Sequence, residues 1–167
     1  MRKLSWLAGI ILLASLSTKA QSLEDKFAVF GGYSYMRFDN SPSFNLNGWE
    51  LAGSYKFVDW LGVAADFDGH YGSPEGASTS LHTFLFGPQV NFPARVSPFA
   101  HLLIGGSHIS GPGFSDTGFA MAIGAGVDTR LVGGVYWRVI QGDYLPTHLF
   151  GSTHNNARLS TGIVIKF

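Results

Sequence analysis

Residues 47–57 read NGWELAGSYKF, and this short alternation sets the fold class. In an extended chain Trp49, Leu51, Gly53, Tyr55 and Phe57 share one face, and Glu50, Ala52, Ser54 and Lys56 share the other. Successive side chains of a strand point to opposite sides, so a two-residue period with one apolar face marks a half-buried strand. The period returns over 118–130, with Phe119, Met121, Ile123, Ala125 and Val127 against Ala120, Ala122, Gly124, Gly126, Asp128 and Arg130. It returns again at the end of the chain. There Leu159, Thr161, Ile163, Ile165 and Phe167 oppose Arg158, Ser160, Gly162, Val164 and Lys166. A helical period of 3.6 is absent from residues 21–167.

Working outward, further strands are expected at 27–38, 60–71, 80–92, 97–109 and 132–144. Over 60–71 the apolar face is Leu61, Val63, Ala65 and Phe67, with Asp66 and Asp68 opposite. Over 80–92, Phe84, Phe86, Pro88 and Val90 are expected outward, with Thr83, Gln89 and Asn91 inward. The first strand carries aromatics on both faces, so its facing stays open. Pro88 and Pro98 cannot donate to a ladder, and bulges are expected there. The connections alternate in length: 39–46, 72–79, 110–117 and 145–156 are long, and those near 58–59, 93–96 and 131 are short. Eight strands with long loops on one side and short turns on the other suit an up-and-down barrel that crosses a membrane.

Alternation alone does not separate such a barrel from a soluble one. Three features do. The polar face holds many small residues, among them Gly62, Ala64, Ala120, Ala122, Gly124 and Gly126. An eight-stranded barrel is only wide enough to be filled by side chains, so small inward residues relieve crowding. Trp49, Phe57, Phe67, Phe92, Phe119 and Phe167 stand near strand ends on the apolar face, where lipid–water interfaces favour aromatic rings. The last strand also runs out on Phe167 rather than on a polar tail. The fold is therefore expected to be all-β, an eight-stranded antiparallel transmembrane barrel.

Composition agrees. Of 167 residues, 46% are hydrophobic, 14% aromatic and only 13% charged, with 22 glycines and no cysteine. Charged residues make up about 25% of an average soluble domain. Arg2 and Lys3 precede a nearly unbroken apolar run over 4–16, and Ser17, Thr18, Lys19 and Ala20 follow. That layout is a secretory signal peptide over 1–20, with 21–167 as the barrel domain. An uncleaved anchor is disfavoured because a spanning helix needs about 20 apolar residues. Removing 1–20 leaves 8 basic against 11 acidic residues, which excludes the basic face of a nucleic-acid binder.

The stretches VFGGYSYMR (29–37), GWELAGSYKF (48–57) and GIVIKF (162–167) resemble small outer-membrane β-barrel proteins of the OmpA-like and OmpX-like kind. The resemblance runs over 21–167. It implies residence in the bacterial outer membrane among phospholipid and lipopolysaccharide. It also implies a C-terminal assembly signal at Leu159, Thr161, Ile163, Ile165 and Phe167, read by the barrel-assembly machinery. OmpA itself adds a peptidoglycan-binding domain; no such sequence follows Phe167, and that role is not carried over. The barrel is read as a monomer with no cofactor.

Under this assignment the lumen receives Glu50, Asp66, Asp68 and Asp128 with Lys56, Arg130, Arg138, Arg158 and Lys166. Unpaired charges in so narrow an interior would cost several kcal/mol each, so they are expected to pair across strands, Glu50 and Arg138 within one network. Such a network is either a static plug or a gate. Arg138, Asp143 and Tyr144 continue it toward a loop. A search for chemistry returns little. Ser152-Thr153-His154-Asn155 resembles the His-x-Ser-Asn element of lipid A deacylases, but in another order and with no acid nearby. His70, His82, His101, His108, His148 and His154 show no metal-ligand spacing, and Gly124-Ala125-Gly126 reads as strand packing. The leading expectation is a structural or surface-interaction barrel without catalysis. The alternatives are a low-conductance pore, a lipid A-modifying barrel enzyme and a soluble lipocalin-like periplasmic barrel.

Overall fold

Eight alternating segments meet the rule that a backbone surrounded by lipid must satisfy every hydrogen bond within itself, and they do so by closing. A computed structural model describes residues 26–39, 43–73, 76, 78–92 and 94–167. The signal-peptide expectation over 1–20 lies outside the described residues. The strands are β1 (Phe27–Phe38), β2 (Phe44–Val58), β3 (Leu61–Gly72), β4 (Thr79–Asn91), β5 (Val96–Gly111), β6 (Phe114–Val132), β7 (Val135–Leu149) and β8 (Ser152–Lys166). They form a closed barrel in chain order, each antiparallel to its neighbours. Closure is made by β1 against β8, from Ala28 opposite Lys166 to Arg37 opposite Ala157. Past that ladder, Phe27 and Phe167 exchange both backbone hydrogen bonds at 2.9 Å, and their rings stack with centroids 6.3 Å apart. Among the described residues no helix is long and apolar enough to cross a membrane.

Outward side chains form an apolar band between two aromatic rings. At the end where β1 begins and β8 finishes stand Phe27, Phe57, Trp60, Phe92, Trp137 and Phe167, all exposed. Toward the far end stand Tyr33, Trp49, Phe67, Tyr71, Phe84, Phe119 and Tyr144, also exposed. From Trp49 to Phe57 the chain covers ~26 Å of strand, or about 20 Å along the axis at a tilt near 40°. A large apolar area facing outward all round a barrel calls for lipid, not water. The ambiguous first strand is resolved: Phe30 and Phe38 are buried inside, while Phe27 and Tyr33 face out.

Above the far aromatic ring the polarity of the two faces inverts. The inward positions there are Met36, Phe38, Leu46, Leu81, Ile109, Leu145 and Leu149, in one buried cluster. The outward positions are Arg37, Asn45, Asn47, His108, Thr117, His148, Thr153 and Asn155, all exposed. The strands thus rise out of the apolar band while remaining strands. This corrects two of the expected long loops. Residues 110–117 and 145–156 are mostly strand, and β5–β6 and β7–β8 turn over only 112–113 and 150–151. Phe150 turns with φ 52°, a region few non-glycine residues adopt.

The bulges also fall elsewhere than expected. Register shifts occur at Lys56/Val58, Val127/Asp128, Arg130/Val132 and Arg138/Gln141. At Pro88 the β4–β5 ladder lapses over Gly87 and Pro88 and resumes in the same register, and Pro98 is paired with Val127. The β7 bulge turns Val139 and Ile140 outward together, which returns Gln141 to the lumen.

One glycine shows how closely the strands approach. Gly48 lies between Ser34 on β1 and His70 on β3. A Cβ there would sit 1.9 Å from the Gly69 carbonyl oxygen. Because position 48 has no side chain, Ser34 and His70 meet across it at 2.9 Å. Replacing Gly48 by Ala should therefore cost about 1–3 kcal/mol, as overpacked sites do. Urea unfolding of the barrel in lipid vesicles, followed by tryptophan fluorescence, measures this; an unchanged midpoint would contradict it.

Candidate functional site

The lumen is assembled from inward positions that are two residues apart on each strand. Asp66, Asp68 and His70 come from β3, Glu50 from β2, Asp143 from β7 and Arg158 from β8. Glu50 stands directly opposite Asp68 in the β2–β3 ladder, a like-charge pairing that is unfavourable by itself. Arg158 offsets it. Its Nη2 lies 2.6 Å from Asp66 Oδ2 and 2.7 Å from Asp143 Oδ2, and its Nε donates to Asp143 Oδ2 at 2.8 Å. Its Nη1 donates to Asp68, and its Nε is 3.8 Å from Glu50 Oε2. The whole Arg158 side chain is buried. It reaches from β8 to Asp66 and Asp68 on β3.

A second group lies nearer the end where β1 begins and β8 finishes. The Arg138 guanidinium is held between the rings of Phe30 and Phe99, 4.3 and 4.2 Å from their centroids. Its Nε donates to Asp128 at 2.9 Å and its Nη1 to Gln141 Oε1 at 2.6 Å. Gln141 Nε2 then donates to Glu50 at 2.9 Å and to Asp143 at 2.8 Å. Glu50 and Arg138 are therefore joined through the Gln141 amide and do not touch. Lys166 Nζ lies 3.9 Å from Asp128 Oδ2 and 3.9 Å from the centre of the Tyr136 ring.

Two of the expected lumen charges lie apart from this network. Arg130 is exposed at a turn, where its Nε donates to the Gly133 carbonyl at 3.0 Å. The irregular register at Arg130/Val132 carries it out of the lumen. Lys56 lines the mouth of the lumen and makes no ion pair among the described residues. The five residues of the expected assembly signal lie along the outward face of the last strand, with Leu159, Ile163 and Phe167 exposed. Thr161 differs from them: its Oγ1 donates to the Arg138 carbonyl at 2.9 Å, which ties the outer face to the β7 bulge.

Sequence reasoning passed over several members. His101 Nε2 lies 2.8 Å from Asp143 Oδ1. His70 Nδ1 lies 3.1 Å from Asp68 Oδ1 and its Nε2 lies 2.9 Å from Ser34 Oγ. Thr83 donates to Asp68, and Ser160 donates to Glu50 Oε2 at 2.5 Å. His70 was in reach of the two-residue period, since it follows Asp66 and Asp68 on one face. The order Ser34–His70–Asp68 has the hydrogen-bond connectivity of a hydrolytic triad. All three are buried, and Ser34 Oγ is also 3.0 Å from Ser160 Oγ. Fully buried and bonded to one another, they act as a strut across β1, β2 and β3. In the 152–155 stretch, His154 Nδ1 lies 2.9 Å from the Asp39 carbonyl, Thr153 pairs with His148 and Asn155 accepts from Tyr144. No group of three or more potential metal ligands occurs among the described residues.

A lone guanidinium among four carboxylates makes a sharp prediction. Arg158→Met should destabilise the barrel by ~3–5 kcal/mol, the cost of leaving buried charges uncompensated. Arg158→Lys should recover only part, because an ammonium lacks the planar fork that reaches four partners. Unfolding free energies in lipid vesicles test both; a loss below about 1 kcal/mol for the Met variant would mean the network carries little stability.

Comparison with known proteins supplies the context. A family model described as the outer membrane protein beta-barrel domain matches residues 7–167. Among solved structures, the Neisserial surface protein A is similar at 15% identity and a TM-score of 0.68, over 85% of this chain and 97% of that one. Ail, the attachment invasion locus protein of Yersinia pestis, is similar at 19% identity and a TM-score of 0.55, over 83% and 97%. The N-terminal β-barrel domain of Pseudomonas aeruginosa OprF is similar at 12% identity and a TM-score of 0.55, over 86% and 98%. No curated protein matches the chain.

Proposed function

The chain belongs to the outer membrane protein beta-barrel domain family and is an integral barrel of the bacterial outer membrane, and from that premise we propose that it serves as a sealed, rigid carrier of its exposed surface, neither pore nor enzyme. The observation that carries this reading is the blocked lumen. Arg158 and its four carboxylates fill the middle, and Met36, Phe38, Leu46, Leu81, Leu145 and Leu149 close the far end. Ions would have to cross both layers. The far end, where the strands rise past the aromatic ring and the two longest connections (39–43 and 73–78) lie, faces the cell exterior in this reading.

The exposed far end supports a surface role. The β5–β6 and β7–β8 hairpins carry Phe114 and Phe150 at their tips, with ring centroids 6.1 Å apart. The Phe150 backbone N–H donates to Asp116, which stabilises its unusual φ. Strained residues held in place by their surroundings are more common where a surface is used. Phospholipid and lipopolysaccharide would cover the apolar band, and the assembly machinery would read Leu159, Thr161, Ile163, Ile165 and Phe167 during insertion. The barrel works as a monomer in this reading.

In planar bilayers the purified protein should show no conductance steps above the bare membrane; reproducible channel events would overturn the sealed reading. The enzyme alternative is tested separately. A fluorophosphonate probe should leave Ser34 unlabelled in the folded barrel, and labelling lost in Ser34→Ala would restore catalysis as a candidate.

A further inference from the structure

Asp68, His70, Ser34, Ser160 and Glu50 form one chain of side-chain contacts that runs from β3 through β1 and β8 to β2. His70 Nδ1 lies 3.1 Å from Asp68 Oδ1, and His70 Nε2 lies 2.9 Å from Ser34 Oγ. Ser34 Oγ is 3.0 Å from Ser160 Oγ, which is 2.5 Å from Glu50 Oε2. All five side chains are buried.

Each contact takes one hydrogen, so the chain takes four. With both carboxylates ionised and the imidazole neutral it holds three, one on each serine and one on the ring. A missing hydrogen would leave two acceptors facing each other in a buried site, which is costly. One more proton is needed, and the direction of each bond decides where it sits. Ser160 donates to Glu50, so Ser34 donates to Ser160 and the ring donates through Nε2 to Ser34. Asp68 accepts from Arg158 and Thr83 at Oδ2, which favours its ionised form and leaves Nδ1 to donate to Oδ1. Both ring nitrogens then carry hydrogen. Placing the proton on Glu50 would reverse the chain. Glu50 Oε1 accepts from Gln141 and its Oε2 is 3.8 Å from Arg158 Nε, and both contacts favour the carboxylate.

We infer that His70 is an imidazolium in the folded barrel, so that a proton is a bound structural ligand of the lumen. The charged groups around it are Asp66 and Asp68 on β3, Glu50 on β2, Asp143 on β7 and Arg158 on β8, with His101 on β5 against Asp143. From β1 and β4 come only the uncharged Ser34, Leu81 and Thr83. The Arg158 guanidinium keeps its charge at any ordinary pH, whereas His70 keeps this proton only while the chain of contacts is intact. Ser34 is thereby no nucleophile, because a ring that donates at Nε2 has no lone pair there to take the serine hydrogen. None of these contacts depends on whether the lumen conducts.

The test uses the full-length barrel in phospholipid nanodiscs, with isotope-labelled histidine read by nitrogen NMR and pH as the variable. At about pH 7.5, where an exposed imidazole is mostly neutral, the His70 ring should show two protonated nitrogens and no bare one. Loss of those signals in His70→Gln assigns them. Ser34→Ala removes two contacts and one hydrogen, so the two remaining contacts are met without the extra proton. In that variant His70 should show one bare nitrogen, and heat-modifiable gel migration confirms that it is folded. Urea unfolding gives a second readout. Above about pH 6.5 an unfolded chain has released the imidazole proton, so folding takes one up and stability falls as pH rises. From pH 7 to 8 the folding constant of the unaltered barrel should fall roughly 5–10-fold more than that of Ser34→Ala. A bare nitrogen on His70 in the unaltered barrel at about pH 7.5 overturns the assignment whether or not the variant folds. An imidazolium that survives in Ser34→Ala, or equal pH dependence of the two proteins, overturns it as well.

Discussion

One buried guanidinium holds this barrel's interior together. Without Arg158, the inward positions of β2, β3 and β7 would gather Glu50, Asp66, Asp68 and Asp143 in a narrow lumen with no adjacent full cation. Arrangement follows from that need. Arg158 reaches from β8 to Asp66 and Asp68 on β3 and to Asp143 on β7. Gly48 has no side chain between Ser34 and His70, and those two brace Asp68 from the other side. Gln141 then links this group to Arg138 and Asp128, so that all eight strands contribute to one polar network.

A buried ion cluster is weak evidence for stability when apolar residues of the same volume could replace it. In a membrane the comparison changes. An apolar lumen would leave both strand faces apolar, and a slip of one residue, which exchanges the faces, would carry little cost. With charges inward, the same slip would move Arg158 and the carboxylates into hydrocarbon, at about 2–4 kcal/mol for each midplane Arg or Lys. The charges thus do for register what a hydrophobic face does for a soluble sheet. The chain has no cysteine, so register and closure rest on this and on the β1–β8 ladder.

Most of the barrel could be read from the sequence, because lipid imposes a strict alternation where the strands cross it. Residues 47–57 and 118–128 have their expected facing, and β1 occupies the expected 27–38. The charged centre was legible for the same reason: Asp66, Asp68 and Arg158 each fall on the polar side of a clean strand. Reading became harder where local geometry departs from a regular pleat. The β7 bulge places Val139 and Ile140 on one side, so no two-residue period spans 132–144. Arg130 follows the inward phase of its strand on paper, but the ladder is already irregular there, and it leaves the lumen for Gly133. His101 gave little signal, since a single histidine between Ala100 and Leu102 does not reveal an acid two strands further along the chain at Asp143.

The misread hairpins have a different cause. Within the membrane these strands are apolar outside and polar inside. Beyond the far aromatic ring water surrounds them, and the same strands become polar outside and apolar inside, as in a soluble barrel. Leu145 and Leu149 are inward, in phase with Asp143 and Gln141, while Tyr144 and His148 are outward. Over 141–149 the period of two holds, but the sign of the hydrophobic signal reverses along it. A search for a continuous apolar face sees the reversal as the end of a strand and reads 145–156 as a loop. The reversal is itself informative, because only a strand that passes from one solvent into another has reason to exchange its faces without a turn. It also explains why two layers of side chains fill the interior. The charged layer answers the lipid-embedded wall, and the leucine-rich layer answers the water around the exposed end.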